Sequence, residues 1–382
     1  MDLWLANTPV FASLFRLQRC DFTLNGTWQK RLSLYTISME QVLYRKYRSK
    51  NFKEVLGQEP IVKALEGALS LGRISHAYLF AGSRGIGKTS VARILAREIG
   101  ASQNDTYEID AASHTGVDDI RELNDAVRTF PFESKYKVYI IDEVHMLSKS
   151  AFNALLKTLE EPPAHVVFIL ATTEIEKLPE TVVSRCQVFQ FKKPSQEILR
   201  EMVLRIAKKE GFTLEPSSAD LIALLGDGSF RDTQGILQKV ITSSADKKIS
   251  VKEVEAMTGA PQGTLVNAFI EAIDQKKPAD GMKAVAKVVE QNGDMKVFLK
   301  LTLRKLRFVL LLRYAVDMEK GIKEELSPDD FALLKKIAEH KEGAVNSAAL
   351  LELLTAYDNL SFYVIPELPL ELALIKLSGE KG

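Results

Sequence analysis

Cysteine is almost missing from this sequence. Only Cys20 and Cys186 occur in 382 residues, and no C-x-x-C pair exists. That excludes a thiolate zinc site within the chain and makes a reducing, cytoplasmic setting the default. An excess of either charge is missing too, since the formal net charge is +1. Any surface for nucleic acid must then be a local patch. Uninterrupted apolar runs of membrane length are absent. The most apolar stretch, Phe298 to Val316, carries Lys300, Arg304, Lys305, Arg307 and Arg313. It reads as a buried helix whose basic stems snorkel toward water. Internal repeats and low-complexity tails are also absent.

Tryptophan is confined to Trp4 and Trp28, inside a first segment with little periodicity. Asp2 stands where a secretory signal has a basic start, and Asn7-Thr8-Pro9 breaks the apolar run from Leu3 to Leu17. Arg16, Arg19, Lys30 and Arg31 among scattered Ser and Thr leave a transit peptide open. A poorly ordered extension over residues 1–38 is the expectation, with Met39 as a plausible true start.

What is present is an ordered alternation. Apolar strand-like runs at Ala77–Phe80, Tyr107–Asp110, Lys137–Ile141, Val166–Leu170 and Gln187–Phe191 alternate with helix-like runs at Pro60–Ser70, Ser90–Ala96, Val117–Thr129 and Ser148–Glu160. This predicts an α/β fold with a parallel sheet covered on both faces. After Pro194 the strand signals stop. Helices are expected at Gln196–Lys209, Ser217–Leu225 and Arg231–Thr242, then a polar break at Ser243–Lys248, then a further helical region to about Leu377.

Between the first strand and its helix lies Gly82-Ser83-Arg84-Gly85-Ile86-Gly87-Lys88-Thr89, which fits G-x-x-x-x-G-K-[ST] without mismatch, and Ser90 opens the helix. Glycines let consecutive N–H groups curl toward phosphate oxygens, and the helix N-terminus adds positive potential. Lys88 is placed to reach the β- and γ-phosphates, and the hydroxyl of Thr89 to ligand Mg²⁺. Ile140-Ile141-Asp142-Glu143 follows at the distance of a crossover. Asp142 suits the Mg²⁺ water shell, and Glu143 suits activation of a water.

Other motifs are ambiguous alone. Thr172-Thr173 after a strand fits a γ-phosphate contact or an ordinary threonine-rich strand end. Ser184-Arg185-Cys186 offers either an arginine for phosphoryl charge or a surface ion-pair partner. Cys186 reads as a small core residue. In Gly228-Ser229-Phe230-Arg231-Asp232, Arg231 either reaches back to a nucleotide or sits solvated behind an N-cap, Ser229. Ser113-His114-Thr115-Gly116 with Arg121 fits a phosphate-backbone contact or a plain loop and helix start.

Together these residues resemble the gamma/tau family of bacterial DNA polymerase III clamp-loader subunits, within the AAA+ ATPases. The resemblance is dense over about residues 40–245. It rests on Leu56-Gly57-Gln58-Glu59, Ser75-His76-Ala77, the glycine loop, Glu108-Ile109-Asp110-Ala111-Ala112-Ser113, Asp142-Glu143-Val144-His145-Met146-Leu147, Phe152-Asn153-Ala154-Leu155-Leu156-Lys157, and Ser184-Arg185-Cys186. It implies a P-loop (AAA+) domain at 39–193, a small helical lid at 194–246, and an all-α collar at 247–382 that holds a five-subunit assembly. It implies Walker A at Lys88 and Thr89, Walker B at Asp142 and Glu143, sensor 1 at Thr173, sensor 2 at Arg231, and an arginine finger at Arg185 acting on a neighbour. Tyr44 and Arg48 would pack near the nucleotide base.

The implied cofactors are ATP and Mg²⁺. The implied partners are delta- and delta-prime-type subunits, further copies of the chain, a sliding clamp, primer–template DNA through its backbone, and the polymerase core, with no membrane. The family's four-cysteine zinc module is missing. Only Gly100–Thr106 fills its interval, so no zinc is carried over. The end of the chain soon after the collar fits a gamma-length product. A branch-migration helicase is expected to lack the Ser-Arg-Cys signature. A nucleotide-binding scaffold subunit is disfavoured by intact Lys88, Asp142 and Glu143.

Overall fold

A computed structural model describes residues 41–113, 115–244, 246–340 and 343–379, apart from the Glu324 side chain. The expectations for residues 1–38, for Met39 and for His114 lie outside the described residues. The chain enters through a one-turn helix, α1 (Leu43–Lys46), and α2 (Glu59–Ser70). The layers that follow are β1 (Ala77–Ala81), α3 (Lys88–Glu98), β2 (Thr106–Asp110), α4 (Val117–Val127), β3 (Lys137–Asp142), α5 (Lys149–Glu160), β4 (Val166–Thr172), the short α6 (Glu180–Val183) and β5 (Gln187–Gln190).

The five strands form one sheet in the order β2-β3-β4-β1-β5, every pair parallel. β1 and β4 are buried along their whole length, as unbroken apolar runs require in a sheet covered on both faces. Successive side chains still alternate. Leu79, Tyr139, Ile141, Phe168 and Leu170 join one apolar layer with α4 and α5. Tyr78, Phe80, Val138, Ile140 and Ile169 join the other with α2 and α3. At about 1.5–3 kcal/mol for each large side chain removed from water, these layers hold the sheet rigid. The loops at the C-terminal ends of β1, β3 and β4 are thereby fixed relative to one another. This is the P-loop AAA+ fold.

Beyond β5 come α7 (Gln196–Lys209), α8 (Pro216–Leu225), α9 (Phe230–Ser243) and α10 (Val251–Thr258). Strand structure does not end at Pro194. β6 (Thr213–Leu214) and β7 (Lys248–Ile249) make a two-residue parallel ladder, too short to leave a periodic signal. The apolar core of this unit runs across the polar break to Ile249, Val254 and Ala260. Leu43 of α1 is buried in the same core. Its N–H donates to Gln238 Oε1 at 2.8 Å. Lys46 pairs with Glu210, and the Tyr47 hydroxyl donates to the same carboxylate.

The rest is helical: α11 (Gly263–Asp274), α12 (Pro278–Glu290), α13 (Met295–Tyr314), α14 (Glu319–Glu325), α15 (Pro328–Glu339), α16 (Ser347–Asn359) and α17 (Leu368–Ser378). They share one apolar core around α13. Two of the basic residues of α13 do not snorkel as expected. Lys305, 8% exposed, donates to Asn267 Oδ1 and Asp330 Oδ1, each at 2.7 Å. Arg313 donates to the carbonyls of Ile337, Ala338, His340 and Val345. It satisfies the orphan acceptors where α15 ends. Among the described residues no helix is long and apolar enough to cross a membrane.

Candidate nucleotide site

The glycine loop joins β1 to α3, where the sequence places it. Gly82, Gly85 and Gly87 have φ of 144°, 74° and 105°, a region that side chains with a Cβ rarely enter. Space is as restrictive as torsion. A Cβ on Gly82 would lie 2.7 Å from the Phe191 carbonyl, and one on Gly85 would lie 2.1 Å from Ser229 Oγ. Lys88 opens α3, is 5% exposed, and donates through Nζ to Gly82 O at 2.7 Å and Ser83 O at 2.9 Å. Burial pulls its pKa below the ordinary lysine value, opposed by the charges of Glu143 and Asp142.

β3 delivers Asp142 beside the loop. Thr89 Oγ1 donates to Asp142 Oδ2 at 2.7 Å. This hydroxyl and carboxylate are hard oxygen donors side by side at a helix N-terminus. That fits a Mg²⁺ ion held by one or two protein oxygens, with water and phosphate supplying the rest. The backbone leaves the strand at Glu143, whose φ is 48°. A non-glycine residue in this region stores strain, which clusters at functional sites. Its N–H donates to Asp142 Oδ1 at 3.0 Å, and its Oε2 accepts from Thr173 Oγ1 at 3.1 Å and Thr173 N at 3.3 Å.

The cleft over this edge has a volume of about 880 Å³. Tyr44, Arg48, Arg84–Ser90, Asp142, Glu143 and Arg231 all line it. Gly82, Ser83, Thr173 and Arg185 are not in its wall. Thr173 touches the cleft only through Glu143.

The wall opposite the sheet comes from α7 and α9. Ser229 caps α9 by accepting from Asp232 N at 3.2 Å, and Phe230 N donates to Gly85 O at 2.9 Å. The glycine loop is thus bonded directly to the start of α9. Arg231 lies 5.2 Å over the Tyr44 ring. Arg48 faces a smaller recess of about 470 Å³ with Arg45, Thr89, Arg93, Glu108, Asp142 and Arg231. Burial, then the charge of Arg93, lowers its pKa, with Arg231 and Arg45 adding and Glu108 opposing.

Arg185 stands apart on the surface. Nη1 donates to Thr181 O at 2.7 Å and Nη2 to Glu160 Oε1 at 2.6 Å. Burial pushes the neighbouring Cys186 thiol up to about 12, which leaves it a packing residue. Arg121 pairs with Asp118 on the exposed face of α4 at 2.9 Å.

The chain is similar in sequence to known proteins. A family profile described as "DNA polymerase III, delta subunit" matches residues 57–114 and 104–195. DNA polymerase III subunit tau of Bacillus subtilis (strain 168) is 39% identical over 311 residues, covering 76% of this chain and 55% of that protein. The tau subunit of Escherichia coli (strain K12) is 44% identical over 275 residues, covering 65% and 43%. The gamma subunit of Buchnera aphidicola subsp. Schizaphis graminum is 40% identical over 272 residues, covering 65% of this chain and 75% of that one. The chain belongs to the DNA polymerase III gamma/tau family. It spans about half the length of the tau relatives that it matches.

Within this gamma/tau chain, three groups at the site escape a reading of motifs. Met202, Arg205, Ile206 and Lys209 of α7 line the cleft, but in sequence they are ordinary positions of an amphipathic helix. Arg93 and Glu108 form a two-pronged pair, each contact 2.7 Å. One lies on a helix and the other on a strand, so only the parallel register brings them together. His145 stands in the stretch Asp142-Glu143-Val144-His145-Met146-Leu147 that carries the resemblance, but the stretch gives the ring no role.

Proposed function

We propose that this chain is the ATP-hydrolysing motor subunit of a DNA polymerase III clamp-loader complex, which opens a sliding clamp and loads it onto primed DNA. The observation that carries the reading is the junction of Thr89 with Asp142 at 2.7 Å, with Glu143 beside it on the cleft wall. Lys88, Thr89 and Asp142 would hold ATP and Mg²⁺, and the ion would supply positive charge against the charge that develops during phosphoryl transfer. Glu143 takes the proton from the attacking water. Arg231, on a helix bonded to the glycine loop, reports the state of the cleft to α7–α10.

Arg185 lies outside its own cleft, which suits an arginine supplied to a neighbouring subunit. Turnover then depends on assembly. The helices α11–α17 serve as the collar that joins the chain to further copies and to delta- and delta-prime-type subunits, and residues 247–260, expected in that collar, belong instead to the core of the preceding unit. DNA contact runs through backbone phosphates without sequence preference, and the polymerase core is a further partner. As a holoenzyme subunit the chain would be classed with DNA-directed DNA polymerase while holding no polymerase site. It would act in the bacterial cytoplasm, at the nucleoid.

The test is reconstitution with clamp, partner subunits and primed DNA, reading ATP turnover and clamp loading. Glu143→Gln is expected to cut turnover at least about 100-fold with nucleotide binding kept. Arg185→Ala is expected to cut only the assembly-stimulated part. Unchanged stimulated turnover in either variant sinks the assignment of that residue.

A further inference from the structure

We infer that His145 is a positioning residue for Glu143. The inference rests on Glu143 being the base in the proposed reaction. The imidazole is held at both nitrogens. Nδ1 lies 3.0 Å from Thr172 Oγ1, and Nε2 lies 3.3 Å from Glu174 Oε1. Thr172 is itself fixed, and Glu174 is paired at the surface. Thr172 is fully buried, and its Oγ1 accepts from Glu174 N at 3.0 Å. Glu174 Oε2 pairs with Lys177 at 2.8 Å. The His145 side chain is 6% exposed, so packing leaves the ring little freedom to rotate.

The same Nδ1 edge lies 3.5 Å from Glu143 Oε2. Every hydrogen bond to the Glu143 carboxylate from the described residues falls on Oε2, from the N–H and hydroxyl of Thr173. Oε1 has no protein partner among the described residues, and Glu143 lines the cleft. Thr173 holds one oxygen by hydrogen bonds, the ring packs against that same oxygen, and the other is left to meet a water. A base must be held close to its productive geometry, because a misplacement of about 1 Å costs on the order of 100-fold in rate. Thr173 alone fixes Oε2 along one direction. His145 packs beside Oε2 and limits its movement, and the ring is held in turn by its burial and by Thr172.

Substitutions separate the two edges of the ring. An asparagine amide reaches the position of Nδ1, and a glutamine amide that of Nε2. The full chain is assayed for kcat and KM in steady-state ATP turnover. ATP affinity is measured separately by calorimetry, and folding by thermal unfolding. His145→Ala (H145A) is expected to lower kcat roughly 10- to 100-fold, with KM and ATP affinity within about twofold. H145N is expected to recover turnover to within about threefold of the parent, and H145Q to stay near H145A.

A kcat for H145A within twofold of the parent overturns the proposal. So does equal turnover of H145N and H145Q, which would mean that the ring only fills space. Should H145A fail to fold, the N-versus-Q comparison decides alone. E143Q is run alongside. If it keeps full turnover, the assignment of Glu143 falls and this inference with it. If it is inactive while H145A is normal, only the inference falls.

Discussion

The C-terminal edge of the sheet and the helical region α11–α17 are built on different physical terms. The edge depends on backbone shape. Three loop glycines and Glu143 take left-handed φ values, the Thr89 hydroxyl donates to the Asp142 carboxylate, and Lys88 donates to the carbonyls of the loop. The helical region depends on volume. Phe269 and Phe298 meet edge-to-face with centroids 5.2 Å apart, both fully buried, inside a continuous apolar core. A backbone requirement admits one or two residue types at a position. A volume requirement admits many combinations of Leu, Ile, Val and Phe.

The sharpest way to break this contrast is to perturb each region and read the other. Phe298→Ala removes a fully buried ring from the first turn of α13. It is expected to cost about 3–5 kcal/mol of stability in the helical region, seen as an earlier unfolding transition. ATP affinity should stay within about twofold. A large loss of affinity in the folded variant would mean that the two regions are energetically one unit.

Gly85→Val is the converse. Its Cβ meets Ser229 Oγ at 2.1 Å, and its φ of 74° disfavours any side chain. The loop and the start of α9 must move apart, which breaks the Phe230 N to Gly85 O bond. ATP affinity is expected to fall at least about 100-fold, or about 2.7 kcal/mol. The unfolding midpoint of the helical region should move by no more than about 2 °C. Retained affinity would show that the loop tolerates a side chain and that the backbone argument is too strict.

The same contrast explains what was legible in the sequence. The glycine loop, Asp142 and Glu143 could be read because each needs one residue type at a fixed spacing. The parallel sheet could be read because β1, β3 and β4 are apolar runs bounded by turns. The β6–β7 ladder was invisible because two residues carry no period. The roles of Lys305 and Arg313 were misread because one-dimensional order shows a cation inside an apolar run, but not Asp330 or the end of α15 waiting for it. The Arg93–Glu108 pair and the ring of His145 depend on register and tertiary packing, which residue spacing does not encode.

Asp105 sharpens the comparison further, since it is a charge that serves shape. It is fully buried at the N-terminal end of the sheet, where the short interval after α3 meets β2. Burial pushes its carboxyl up. Hydrogen bonds from the N–H groups of Glu133, Phe132 and Ser134 outweigh this and hold it far below the usual carboxylate range. Its folded pKa is therefore depressed. The stabilisation is fully present above the unfolded value of about 3.9 and is lost as pH falls through the folded one. Asp105→Asn keeps the shape and removes the charge. It is expected to cost about 2 kcal/mol near neutral pH. The difference from the parent should hold steady between about pH 5 and 7 and shrink below about pH 4. Denaturant unfolding of both proteins across that series measures it. A gap that stays constant to about pH 3 would mean that Asn loses packing instead of charge, and would place this loop with the volume-governed half of the molecule.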